Sequence, residues 1–191
     1  LCVNTSRVWA AGCSLGGIFT FELARDARSA PRLAGIAPQV GLPHNGFNFA
    51  PAAPMHLFGM WGVDDTTIPP LSNTADPTMS FDTAYSGWYY STARNTTERW
   101  ADALGCGARA DASSWWGLGD YPKLATTDAG AGCTARLDGA GGADVVECIF
   151  DAGHVCGRAY MRAPLIDFMA TRARIGAVEV AMSGDDGGGD D

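Results

Sequence analysis

Ser6-Arg-Val-Trp-Ala-Ala-Gly-Cys-Ser-Leu-Gly-Gly-Ile-Phe-Thr-Phe-Glu-Leu-Ala24 constrains the fold of this chain more than any other stretch. Val8, Trp9 and Ala10 read as the end of a short buried strand, and an amphipathic helix over about 16–26 follows almost at once. Between them Gly12-Cys13-Ser14-Leu15-Gly16 matches G-x-S-x-G, with the strand before and the helix after that this pattern requires. Such a turn holds its serine in a strained backbone conformation with Oγ exposed, so Gly12 and Gly16 are expected to supply clearance from neighbouring backbone. The N-terminal N–H groups of the helix, that of Leu15 first, would favour an oxyanion beside Ser14. In a chain with 25 glycines the pattern also arises by chance. The flanking strand and helix set this copy apart.

The rest of the chain continues the alternation of strand and helix. Arg32–Pro38 reads as a central strand ending at its proline, and Pro54–Gly62 as the next strand. Val63-Asp64-Asp65-Thr66-Thr67-Ile68-Pro69 then forms an acidic loop at the carboxyl edge of the sheet, where open α/β sheets place their chemistry. Residues 70–90 show no period and read as a long excursion over that edge. They hold Phe81, Tyr85, Trp88, Tyr89 and Tyr90, which either pack the excursion down or touch substrate; Trp88 is taken as a substrate contact. A helix is expected over 92–104, capped by Ser91 or Thr92 and stopped by Gly105. Cys133–Leu137 and Val145–Phe150 flank a glycine-rich turn and read as a hairpin. Asp151-Ala152-Gly153-His154 follows the second of these strands, and a last helix is expected over 164–174.

With 191 residues, 47% hydrophobic and 18% charged, the chain suits one folded domain over 1–180 and a polar, glycine-rich disordered tail over 181–191. A net charge of −8 without a Lys/Arg cluster excludes nucleic acid and anionic membrane surfaces as partners, and no run of about 18 apolar residues could span a membrane. Six cysteines without a C-x-x-C pair read as disulfide partners rather than a metal site. They imply an extracellular or secretory-pathway protein. The sequons Asn4-Thr5-Ser6 and Asn95-Thr96-Thr97 point weakly the same way.

A serine after one strand, an acid after a later strand and a histidine after the last reproduce the chain order Ser, Asp, His of the α/β-hydrolase arrangement. In that scheme His154 is the general base for Ser14, and Asp65, with Asp64 as its rival, orients the imidazole. His44 and His56 lack such context. No cofactor and no metal are needed.

At these segments the chain resembles the esterase family of extracellular polyhydroxybutyrate depolymerases, feruloyl esterases and acetylxylan esterases. The resemblance rests on Cys2–Trp9 leading into Gly12–Gly17, on Gly62-Val63-Asp64-Asp65 with Pro69, on Trp100-Ala101-Asp102 with Gly105-Cys106, and on Gly153-His154. It implies an α/β-hydrolase-like parallel sheet with flanking helices, and it favours Asp65 over Asp64. Trp61 stands where the family usually has histidine, and Leu15 where it has asparagine; both changes alter the pocket, and Trp61 is taken as a second substrate contact. Family members carry further strands and the second oxyanion donor ahead of the elbow. The resemblance therefore implies that the N-terminal strands are missing here and that an N-terminal half, or another chain, completes the sheet. The expected function is hydrolysis of a polyester, feruloyl or acetyl ester through an acyl-enzyme on Ser14. The alternative is a non-catalytic remnant or assembly subunit that acts by binding.

Hairpin register gives one further expectation. Centred on Ala140-Gly141, the hairpin sets Cys133 opposite Cys148. Cross-strand Cβ atoms lie about 4.5–5.5 Å apart, near what a disulfide requires.

Overall fold

Side-chain alternation along the central strands decides the layers of this molecule. The computed structural model describes residues 3–47, 50–84, 87–115 and 132–176. A six-stranded sheet is built from β1 (Trp9–Cys13), β2 (Gly35–Gln39), β3 (His56–Gly62), β6 (Ala110–Asp111), β7 (Cys133–Arg136) and β8 (Val145–Phe150). Its order is β1-β2-β3-β8-β7-β6, with the first four strands parallel and β7 antiparallel to both of its neighbours, β8 and β6. Ile36, Leu57 and Val145 point to one face, where Phe21 and Ala24 of α1 (Leu15–Arg25) and Trp100, Ala101 and Leu104 of α2 (Ala93–Leu104) cover them. Their neighbours Ala37, Phe58 and Val146 point to the other, under Met161, Leu165 and Phe168 of α3 (Ala159–Thr171). The result is an α/β architecture with helices on both faces.

Local chemistry accounts for the element ends. Thr92 Oγ1 accepts the Asn95 N–H at 3.2 Å and caps α2, while Gly105 closes it at φ 66°, a left-handed conformation that costs glycine little. Pro38 does not end β2; the strand runs on to Gln39, and its ladder to β3 is interrupted at Ala37 and Pro38, where proline offers no N–H. Similarly, α3 begins at Ala159 rather than at Pro164. A proline at the sixth helical position forfeits one backbone bond, and the burial of Met161, Leu165 and Phe168 offsets that loss.

Two expectations change at the edges. β1 is not buried: it borders the sheet of described residues, and Ala11 and Cys13 are exposed. The excursion over 70–90 carries a two-stranded antiparallel ladder, β4 (Met79–Phe81) with β5 (Tyr89–Ser91), which periodicity cannot show in strands of three residues. The tail at 181–191, Tyr85 and Cys2 lie outside the described residues.

A polar cluster joins α2 to the sheet. The Glu147 carboxylate is buried on β8 and accepts from Arg94 Nε at 3.2 Å and from Thr97 Oγ1 at 2.6 Å, with Arg109 alongside. A buried carboxylate is tolerable only with such partners. Asn95 donates to Ser91 Oγ at 2.6 Å, and Thr96 and Thr97 are buried, so this sequon serves α2.

Cys133 and Cys148 form a disulfide in the expected register, both fully buried. A second disulfide, Cys13–Cys156, was not foreseen; Cys106 is a buried free thiol. Two disulfides are compatible with an oxidising compartment, and among the described residues no helix is long and apolar enough to cross a membrane. The Cys133–Cys148 bridge closes a 15-residue separation, so the Cys133→Ala/Cys148→Ala variant is expected to lose about 3 kcal/mol in urea unfolding. An unchanged midpoint would show that the bridge does not constrain the unfolded chain.

Candidate active site

Parallel pairing turns the carboxyl ends of β1, β2, β3 and β8 toward one edge, and four connecting loops meet there. Ser14 occupies the turn between β1 and α1 with φ 55° and ψ −123°, a conformation that costs a non-glycine residue about 1–3 kcal/mol. Its N–H donates to the Gln39 carbonyl at 2.9 Å and its carbonyl accepts from Ile18 at 3.0 Å. The two motif glycines are not equivalent. A Cβ on Gly12 would lie 2.1 Å from the Gly16 carbonyl oxygen, whereas one on Gly16 would meet nothing within 4 Å. Gly12 alone supplies the clearance expected of both.

The acid loop is fixed by its own backbone. Asp65 Oδ1 accepts the N–H groups of Thr67 at 2.8 Å and Ile68 at 2.9 Å, which aims Oδ2 across the loop. Asp65 is buried and Asp64 is exposed, and Oδ2 of Asp65 lies 2.7 Å from His154 Nδ1. On its other side His154 Nε2 lies 2.9 Å from Ser14 Oγ. Chemistry assigns the protons: a carboxylate only accepts, so Nδ1 carries the hydrogen, and Nε2 is left to accept from the serine hydroxyl.

Close backbone contact brings the acid and histidine loops together. Val63 donates to the Phe150 carbonyl at 2.8 Å and Asp64 to that of Ala152 at 3.0 Å. A side chain at Gly62 would lie 2.2 Å from the Ala152 carbonyl oxygen, so only glycine permits this approach. The Cys13–Cys156 disulfide ties the residue before Ser14 to the second residue after His154.

The other expected site residues take different places. Leu15 is the first residue of α1 and 75% exposed; its N–H belongs to the first turn, whose amides have no partner within the helix. Trp61 is fully buried and donates from Nε1 to the Gly41 carbonyl at 3.0 Å. In place of the substrate contact expected of it, it supports the loop after β2 from below. Trp88 is 58% exposed and lies against His44, with ring centroids 4.9 Å apart, and exposed Phe47 lies 6.3 Å from the same His44 ring. His56 sits at the opposite end of β3, where Nδ1 accepts from Asp144 N–H at 3.1 Å and Nε2 faces the Ala173 carbonyl at 3.2 Å. Burial holds its pKa below the ordinary imidazole value. Among the described residues no group of three or more His, Cys, Asp or Glu could hold a metal ion.

No protein-family model matches the chain, and no curated protein matches its sequence. The site therefore rests on its own geometry.

Substitution separates the two motif glycines. Gly12→Ala is expected to cost more than about 2 kcal/mol, as backbone overpacking does, and to displace Ser14. Gly16→Ala is expected to be neutral or to stabilise α1 by about 0.5–1 kcal/mol. Thermal unfolding checks both, and equal effects would contradict the assigned geometry.

Proposed function

We propose that this chain is a serine carboxylic-ester hydrolase of the α/β-hydrolase type that works through an acyl-enzyme on Ser14. One observation carries the reading: the unbroken line of hydrogen-bond distances from Ser14 Oγ through His154 to the buried Asp65. His154 accepts the Ser14 proton as Oγ attacks the ester carbonyl, then returns it to the departing alcohol. Asp65 keeps the imidazole in the tautomer that can accept and stabilises its charged form. Water repeats the sequence on the acyl-enzyme and releases the acid. The Leu15 N–H at the start of α1 supplies one oxyanion donor, helped by the helix dipole.

A polyester, feruloyl or acetyl ester outside the cell suits the disulfides and the exposed aromatic rings around Trp88. A polypeptide that pairs with β1, the strand that borders the sheet of described residues, would supply a second oxyanion donor. Removal of one such donor typically costs about 10²–10³ in rate. Hydrolysis of p-nitrophenyl acetate by the 191-residue chain is expected to rise by about that factor when a polypeptide that pairs with β1 is added. Ser14→Ala should abolish hydrolysis and Asp65→Asn should lower it about 10⁴-fold, the cost of the wrong tautomer. Hydrolysis undiminished in Ser14→Ala would refute the reading, and a folded wild-type chain that hydrolyses no ester would favour a protein that acts by binding.

A further inference from the structure

Gln39, the last residue of β2, contacts both the Ser14 turn and the loop that follows His154. Its backbone carbonyl accepts the Ser14 N–H at 2.9 Å, and its side-chain Oε1 accepts the Gly157 N–H at 2.9 Å. In register it lies directly beside Cys13, and register partners point to the same face of a sheet. That face is the one α3 covers, since Trp9, four residues before Cys13, and Ala37, two before Gln39, lie on the same alternation and pack in the α3 cluster. Cys13 and Gln39 thus reach together to consecutive residues, Cys156 through a disulfide and Gly157 through a hydrogen bond.

The histidine loop needs such ties. Glycines stand at 153 and 157, and Gly157 adopts φ 66°. A covalent link alone fixes a distance but leaves the loop free to rotate about it. A second contact one residue on removes that freedom and sets the direction in which His154 points. Gln39 is buried, and Val40 after it adopts φ 42°, an outlier for a β-branched residue, held by a 2.8 Å bond from its N–H to the Met60 carbonyl. The acceptor is therefore presented from a rigid strand end, whereas Gly157 is exposed and water can replace the bond if it is removed.

We propose that Gln39 is a positioning residue that clasps the histidine loop and holds His154 Nε2 on Ser14 Oγ. The role rests on reading Ser14 and His154 as nucleophile and base. It leaves the Ser14 backbone bond untouched in any side-chain variant, so the two contacts separate experimentally.

The test uses Gln39→Leu, which removes the acceptor, and Gln39→Glu, which keeps an oxygen in its place, each verified as folded by circular dichroism. Two quantities are read: amide exchange at Gly157, and the rate at which a fluorophosphonate modifies the protein. In Gln39→Leu, Gly157 should exchange about fivefold faster or more, as loss of one hydrogen bond predicts, and modification should slow about 10- to 100-fold, as misplacement of a catalytic group does. Gln39→Glu should restore most of both. Wild-type exchange and modification rates in a folded Gln39→Leu would overturn the proposal, as would failure of Gln39→Glu to rescue. Faster Gly157 exchange with no modification of any variant would support the clasp and contradict the nucleophile reading, so the two fail separately.

Discussion

The parallel ladder between β3 and β8 is the constraint on which the rest of this structure depends. Its register pairs Leu57–Gly62 with Val145–Phe150 residue by residue, so the chain leaves both strands at the same height. Gly62 then lets the two exits touch, and backbone bonds from Val63 and Asp64 stitch them together. Asp65 and His154 meet as a consequence, though 89 residues separate them. β1 and β2 add Ser14 and Gln39 to the same edge through the same parallel geometry.

Strain at that edge is offset by packing beneath it. Ser14 and Val40 both adopt positive φ at the ends of adjacent strands, together costing several kcal/mol on the order of 1–3 each. Below them Trp61, Leu42, Ile68, Tyr90 and Ile149 form one buried cluster, and Trp61 also binds the Gly41 carbonyl. A fully buried large side chain contributes about 1.5–3 kcal/mol, so this cluster can hold the strained turns in place. Farther out, Glu147 with Arg94, Arg109 and Thr97 fixes α2 on the sheet without leaving a buried charge unpaired.

Much of this was legible because it is local. The elbow around Ser14, the cap at Thr92, the stop at Gly105 and the hairpin register that joins Cys133 to Cys148 each follow from a few neighbouring residues. Ser14, Asp65 and His154 do meet, and chain order was the signal for it. What escaped depends on distant partners. Nothing near Gln39 announces Gly157, and the spacing of Cys13 from Cys156 resembles any other pair of cysteines. Trp61 looks the same in sequence whether it faces substrate or core; its place was settled by the Gly41 carbonyl within its reach. The early start of α3 was hidden by Pro164, because tertiary burial outweighed a local rule.

The proposed function depends on Ser14 being a nucleophile activated by His154. Peptide mapping by mass spectrometry after exposure to a fluorophosphonate tests it most directly. One covalent adduct is expected, on the peptide that contains Ser14, absent in Ser14→Ala and formed far more slowly in His154→Ala. A folded protein that remains unmodified, or an adduct on another residue that persists in Ser14→Ala, would contradict it.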